Sequence, residues 1–309
     1  MKIKHLIFCF SAFALLVLTA SACRSDAKVV KASRSYATRE VKISNVSGVC
    51  CNTAIDIVYV QQSGNPYACI KAPSNVLPYV KLECRGNCLN VSYENTANRN
   101  LTLNGDFICT VYVYAPEVTS FTVNSAGDIE LKNGLHTNRD VSFKVQSAGD
   151  ISCDKVKCRN LEVKVNSAGD VELDRVSCSQ LRVLLNSAGD FSSDNVTCSE
   201  ARLKANSAGD MDIRQLNCRG DLDALANSSG HIKLAGTCGD ARYQANSTGD
   251  IKAEKMKTRN ASVWVCSIGN VYCNTSGRLK VSRNTSIGMV YYKGMPTQIQ
   301  GGYEGVKNL

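Results

Sequence analysis

The chain has 309 residues, of which 20% are charged and 6% aromatic, and its formal net charge is +9 at pH 7. The positive excess is spread along the sequence without any block of Lys and Arg. This excludes the clustered basic, aromatic-rich surface of a nucleic-acid binder, and the length suits one large domain or two small ones.

Residues 1–22 read as a targeting segment, a signal peptide. Lys2 and Lys4 form its positive end, Leu6 to Leu18 its apolar stretch, and small residues follow in "LTASAC". The apolar part is shorter than the roughly 20 residues a membrane-crossing helix needs. Two readings of the cleavage site compete. Ala20-Ser21-Ala22 suits an ordinary signal peptidase. Small residues directly before Cys23 also suit a bacterial lipobox, with Cys23 acylated as the first mature residue, and the cysteine at that position favours this second reading. Residues 23–38, including the polar, aperiodic "RSDAKVVKASRSYAT", then form a lipidated cysteine and a tether, and no second hydrophobic stretch follows.

Residues 39–120 are β-rich but irregular. "EVKISNV", "AIDIVYVQQ", "ACIKA", "VKLEC", "LNVSYE" and "TVYVYAPE" alternate or run apolar, with turns at "SGNP", "RGN" and "NTANRN". Six cysteines fall here: Cys50, Cys51, Cys69, Cys84, Cys88 and Cys109. An exported protein can pair some of them, Cys84 and Cys88 being the nearest candidates after the vicinal Cys50-Cys51, but spacing does not fix the connectivity.

From residue 121 to 290 a five-residue phrase returns. It reads NSAGD at Asn124, QSAGD at Gln146 and NSAGD again at Asn166, Asn186 and Asn206. It then drifts to NSSGH at Asn227, NSTGD at Asn246, CSIGN at Cys266 and TSIGM at Thr285. Successive gaps are 22, 20, 20, 20, 21, 19, 20 and 19 residues, the near-constant period of a solenoid. Between copies the alternation is that of strands. In "VELDRVSCSQLRVLL", Val171 and Leu173 share one parity, Val176 and Cys178 the other, and Leu181, Val183 and Leu185 return to the first. The expected unit is one coil of about 20 residues with three short strands and three corners, one corner being the repeated phrase. Stacked coils set like residues in columns about 4.8 Å apart. The residues after the motif (Ile129, Ile151, Val171, Phe191, Met211, Ile232, Ile251, Val271, Val290) and those before it (Val123 to Val265) are apolar, and should line the interior.

Each motif position has a physical reading. The glycines allow φ > 0 or a close approach, and Ser and Ala are small enough for the inside of a bend. Asn124, Gln146, Asn166, Asn186, Asn206, Asn227 and Asn246 can form an amide ladder, since each amide both donates and accepts; a sugar-binding row is the rival reading. Asp128, Asp150, Asp170, Asp190, Asp210 and Asp250 would form a column of like charges. Its compensation is either capping of backbone N–H groups in each residue's own turn or bound calcium, although one Asp per coil is a poor calcium ligand set. Cys158, Cys178, Cys198, Cys218 and Cys238 stand 20 apart without exception. Buried small hydrophobes suit the alternation; disulfides between adjacent coils are conceivable, whereas a column in a wall offers no tetrahedral metal geometry. No metal or other cofactor is expected. The tail, residues 291–309, breaks the pattern with Gly294, Pro296 and Gly301-Gly302 and is expected to close the end.

The order of these elements resembles the head GIN domain family of auto-transporter adhesins. The resemblance rests on "VSGVCCNTAIDIVYVQQSGNP", on "VYVYAPEVTSFTVNSAGDIEL", on the repeated S-A-G-D turns, and on the closing "YYKGMP" and "QGGYEG". Asn before the serine, where many relatives have glycine, and the cysteine column depart from the family pattern. The resemblance implies an all-β fold, a right-handed parallel β-helix, in an exported, surface-exposed protein with no known enzyme activity.

Function reads accordingly as a non-catalytic, adhesin-like lipoprotein of the bacterial envelope, tied to the outer membrane by its lipid. It would bind a glycan, matrix or envelope protein through outward residues such as Glu162, Lys164, Arg182, Arg202 and Lys204. A polysaccharide-degrading β-helix enzyme is the rival. It needs acidic groups converging over a walled cleft, and gaps of 19 to 22 leave no room for the wall-forming loops. The three histidines, His5, His136 and His231, complete no catalytic set. An envelope accessory or scaffold protein is the third reading.

Overall fold

The computed structural model describes residues 28–94, 101–284, 287–302 and 304–309. The signal segment, Cys23 and the first tether residues, the turn at 95–100, and Thr285 and Ser286 of the last motif copy lie outside these residues. Among the described residues, no helix is long and apolar enough to cross a membrane.

One coil shows how the sequence builds the rest. Strand Ile151–Lys157 buries Ile151, Cys153 and Val156 and exposes Asp154 and Lys155 side by side. Strand Asn160–Val165 buries Leu161, Val163 and Val165. The exposed pair is the parity slip. It bends a strand without ending it, because pairing with the next coil resumes at Lys155↔Arg175. Four coils between residues 151 and 226 therefore have two strands where three pieces were expected; the coil before them has three, Ile129–Leu131, Leu135–His136 and Val141–Val145, and after them Ile232–Ser247 and Ile251–Ser267 each run as one strand. The motif joins the second strand to the next coil.

Coils stack as parallel rungs of a β-solenoid. Ile57, Ile129, Ile151, Val171, Phe191, Met211, Ile232, Ile251, Val271 and Val290 pair in unbroken succession, each at most 1% exposed. A single coil could not bury this column, so stacking creates the core. On the second sheet Val49, Phe121, Phe143, Val163, Val183, Leu203, Ala224, Tyr243, Val263 and Val281 form a matching inner column. Tyr59 packs edge-on to Phe121, and Phe121 at a tilt to Phe143, with ring centroids 5.1 and 5.6 Å apart. Further along, Tyr243 is accommodated by small neighbours: Ala224 on the preceding rung, and Ala241 and Ala245 on its own strand.

The stack begins before residue 121. Strands Gly48–Cys51 and Asp56–Gln61 are already a rung, pairing with Ser120–Val123 and Ile129–Leu131. The intervening chain passes beneath it. Cys88–Tyr93 and Thr110–Ala115 add parallel strands below. The pairing then turns antiparallel, with Tyr67–Pro73 against Thr110–Ala115, Tyr36–Lys42 against Tyr67–Pro73, and Val80–Arg85 against Cys88–Tyr93. The outermost of these, Tyr36–Lys42, carries Arg39, Glu40 and Lys42, and charge blunts such an edge against further pairing. Cys50 and Cys88 form a disulfide, Cα to Cα 6.6 Å, that staples this cap to the first rung. Cys84 is not the partner of Cys88: the hairpin sets Cys84 opposite Leu89, and its thiol is free and exposed. At the other end the tail continues the stack as a last, shorter rung, with Val290↔Val306 and Leu279↔Ile299 in parallel register.

Candidate functional site

The motif forms one edge of the solenoid, and its side chains act between rungs. The Asn124 amide donates to Asn52 Oδ1 at 2.7 Å, Gln146 to Asn124, Asn186 to Asn166 at 2.7 Å and Asn206 to Asn186 at 2.7 Å. Asn227 donates to Asn206 at 2.9 Å and Asn246 to Asn227 at 2.8 Å. Every donor points toward the N-terminal end, so the bonds align head to tail and polarise one another.

The aspartates do not cap their own turns. Each carboxylate accepts the backbone N–H of the equivalent residue one rung on: Asp150 to Asp128 at 2.9 Å, Asp170 to Asp150 at 2.7 Å, Asp190 to Asp170 and Asp210 to Asp190 at 2.8 Å. The row continues through His231 on Asp210 and Asn270 on Asp250. The side chain reaches the next coil because the stacking distance matches the reach of one carboxylate. Burial raises the carboxyl pKa of Asp150 and Asp190, an effect opposed by the bond from the next N–H and reinforced by the flanking aspartates. Among the described residues, no group of three or more His, Cys, Asp or Glu is placed to hold a metal ion.

Glycine is required here by proximity. A Cβ at Gly149, Gly169, Gly189 or Gly209 would collide with the carbonyl oxygen of the preceding rung's glycine, and none of these residues has positive φ. The alanines lie outside the bend: Ala126, Ala148, Ala168, Ala188 and Ala208 are exposed, because the tightly packed backbone at the glycine forces the preceding residue outward. Later copies turn differently. Ser228, Ser247 and Ser267 adopt φ of 54°, 65° and 75°, the left-handed region.

A further copy of the motif precedes the repeats. "NTAID", residues 52–56, occupies the same edge: Asn52 accepts from Asn124, and Asp56 accepts the N–H of Asp128 at 3.3 Å. Ile55 stands at the glycine position, its side chain wholly buried.

The cysteine column runs along a corner between the sheets and is followed by threonine: Cys198 pairs with Cys218, Cys238 with Thr258, and Thr258 with Thr275. Cys158, Cys198 and Cys218 are buried. Cys178 and Cys238 are only partly so, Cys238 lying beside a register shift where Gly236 takes φ 129°. All five thiols are free. Burial pushes Cys158, Cys178 and Cys238 up to about 12. Cys198 is raised by its hydrogen bond with Cys218 and by burial.

Two recesses lie on the outward face of the second sheet. A recess of about 410 Å³ is lined in part by Asp140, Ser142, Asn160, Glu162, Gln180 and Arg182. A second, of about 390 Å³, is lined in part by Glu200, Arg202, Asp221, Asp223, Asp240 and Arg242. The same arrangement edges both. Arg159 grips Asp140 through Nε at 2.7 Å, with Asn160 donating to the same oxygen at 2.8 Å. Arg259 grips Asp240 at 3.0 Å, with Asn260 donating at 3.1 Å. The Arg159 guanidinium holds the Asp140 carboxyl below its ordinary pKa. Glu162, Arg182 and Arg202 line these recesses, while Lys164 is held against Glu162 at 2.9 Å. In register, Asp223 sits between Arg202 and Arg242.

A solved structure shares this fold. The structure of a putative adhesin from Parabacteroides distasonis superposes with a TM-score of 0.52 at 16% identity, over 91% of this chain and 100% of that one. A putative adhesin from Parabacteroides merdae gives 0.49 at 18% identity, over 92% of this chain and 100% of that one. No curated protein matches the chain. The family profile described as putative auto-transporter adhesin, head GIN domain, matches twice, over residues 47–218 and 185–296, the first match opening within one residue of the lowest complete rung. With its two matches together covering residues 47–296, well over half of its length, the chain belongs to the head GIN domain family of putative auto-transporter adhesins.

Proposed function

We propose that this is an exported lipoprotein, anchored through Cys23, that displays the solenoid on the bacterial envelope and binds a glycan, matrix or envelope protein without catalysing a reaction. One observation carries the reading: two shallow recesses follow one another along a single flat sheet face, each edged by the same Asp–Arg–Asn arrangement. A row of similar subsites suits an extended ligand gripped at several points, where modest contacts add through multivalency.

The rival enzyme needs two acidic groups on opposite sides of a bond. Glu200 and Asp240 instead fall on one file along the stack, and Asp240 is tied to Arg259. The polar tether and the lipid at Cys23 would hold the stack clear of the membrane. The reading is tested by displaying the full chain on cells and screening glycans and matrix proteins. Saturable retention of one class, reduced at least about tenfold when Arg182 and Arg202 are replaced by Gln, supports it. Breakdown of a polysaccharide without retention overturns it.

A further inference from the structure

Near the C-terminal end of the same face, six outward residues form a grid of three rungs by two files. Arg242, Ser262 and Lys280 pair in one file, and Gln244, Trp264 and Ser282 in the other. Trp264 is the chain's one tryptophan, and it is 48% exposed at the centre of its file. The buried Val263 separates it from Ser262, so both point outward from the same strand. These six, with Val263, line a recess of about 180 Å³ that contains no acidic residue. Among the described residues, neither Arg242 nor Lys280 forms an ion pair. Arg242 also lines the neighbouring 390 Å³ recess, so the two are continuous.

The chemistry of the grid is specific. An exposed indole flanked by an amide and a hydroxyl offers a flat apolar platform with hydrogen-bonding groups on both sides. Neighbouring rungs are about 4.8 Å apart, close to the width of a pyranose ring, so a sugar lying on Trp264 has its edge hydroxyls within reach of Gln244 and Ser282. The parallel file sets two unpaired cations on either side of a hydroxyl, a cradle for a carboxylate, with the Arg fork giving the directional contact and Lys the point charge. We propose that this recess is a subsite for an acidic sugar: the pyranose face stacks on Trp264, and its carboxylate sits over Ser262 between Arg242 and Lys280. The inference rests on the adhesin-like reading and gives it a ligand class, a uronic-acid-bearing glycan. A peptide carboxylate would satisfy the cations but leave the indole uncovered.

The single tryptophan reports on its own site. Trigalacturonate is titrated into the purified full chain while tryptophan emission is followed, with galactotriose and hexaglutamate as controls. The expected result is a saturable emission change with trigalacturonate that weakens with added salt. Galactotriose should need at least tenfold higher concentration, and hexaglutamate should leave the emission unmoved. Arg242→Gln with Lys280→Gln should raise the midpoint at least tenfold at an unchanged melting temperature. Equal response to galactotriose or to hexaglutamate, no response to trigalacturonate, or an unchanged midpoint in the double variant overturns the assignment. Trigalacturonate retention on an immobilised chain with emission unmoved overturns it too, yet leaves the adhesin-like reading standing. Failure of every ligand in the cell-display screen is the separate result that removes that reading.

Discussion

The backbone N–H of Asp190 donates to the carboxylate of Asp170, one rung away, at 2.8 Å, while the Asp190 carboxylate accepts from Asp210 at the same distance. The column is a hydrogen-bonded ladder that brings like charges together. Neighbours at about 4.8 Å repel by about 0.9 kcal/mol even at the dielectric of water. The protein itself shows a neutral rung: Asn270 accepts from the Met289 N–H at 3.1 Å and donates to Asp250 at 3.2 Å. Asp190→Asn therefore keeps the acceptor and removes a charge. Burial raises the folded-state pKa of Asp190, so the folded chain holds the proton more tightly than the unfolded one. The stabilising share of this group is present below about pH 4 and lost as pH rises through the raised value. Urea unfolding should find Asp190→Asn more stable by about 1 kcal/mol at pH 7 and nearly equal to the parent at pH 3. Asp190→Ala should lose about 1–2 kcal/mol at pH 7, for want of an acceptor. An equal gain for Asn at both pH values would show that charge is not the cause.

Gly189 meets the Gly169 carbonyl and the Val165 side chain wherever a Cβ would go, and both belong to the preceding coil. Gly189→Ala must push adjacent rungs apart, breaking the amide and carboxylate ladders beside it. It should cost about 3 kcal/mol or more, at the upper end of overpacking. Gly64 takes φ 109° with nothing within 4 Å of where a Cβ would stand, so Gly64→Ala strains only its own turn, by about 1 kcal/mol. Thermal unfolding of the two variants separates the cases; equal losses would refute rung contact as the reason for the glycine row.

Tyr243 is wholly buried, and its hydroxyl has no hydrogen-bond partner. An unpaired buried hydroxyl costs about 1–3 kcal/mol. Tyr243→Phe removes the oxygen and keeps the ring between Ala224 and Val263. The melting temperature should rise, with a gain of about 1 kcal/mol in urea. A loss would reveal a partner for the hydroxyl in solution.

The columns were legible because a solenoid repeats its environment: Ile151, Val171 and Phe191 are apolar for one reason, applied rung after rung. What did not repeat was not legible. "NTAID" is a rung, but the cap inserted after it separates Asn52 from Asn124 by 72 residues, and Ile55 hides the glycine. The match of Asn52, Ala54 and Asp56 to N-x-A-x-D was the available signal. The Asp direction was missed because reach between coils is a three-dimensional distance that no spacing along the chain encodes. Cys50–Cys88 was hidden in the same way, its partners meeting only when the cap folds beneath the first rung. Trp264 drew no notice because its surroundings come from three different coils.

Ser247 takes φ 65° and Ser267 φ 75°, where an L-residue other than Asn, Asp or Gly is strained by about 1–2 kcal/mol. Ser247→Asn places a residue that tolerates this region, and should stabilise the chain by about 0.5–1 kcal/mol. Ser167, in an earlier copy, is not in the left-handed region. Ser167→Asn should bring no gain. Parallel melts of both variants decide the matter, and an equal gain at the two sites would mean that turn geometry is not responsible.

The cysteines divide by access. Cys84 is exposed, whereas Cys153, Cys158 and Cys273 are buried and raised by burial to about 12. At pH 8 a thiol of that pKa is ionised to roughly one part in ten thousand, and the thiolate is the reactive form. Maleimide at pH 8 should modify Cys84 within minutes in the native chain and reach the buried members of the corner column, Cys158, Cys198 and Cys218, only after unfolding. Cys178 and Cys238, partly exposed but also raised to about 12, should react after Cys84 and before Cys158. The order is read by digestion and mass spectrometry at successive times. Reduction of Cys50–Cys88 beforehand removes a crosslink across 38 residues, worth about 2–4 kcal/mol, and should speed labelling of Cys51 in the first rung and Cys109 beneath it while leaving Cys198 and Cys218 unchanged. Labelling of the column at the rate of Cys84 in the native protein would mean that the corner is open to solvent, and would remove the case for these thiols as core-filling groups.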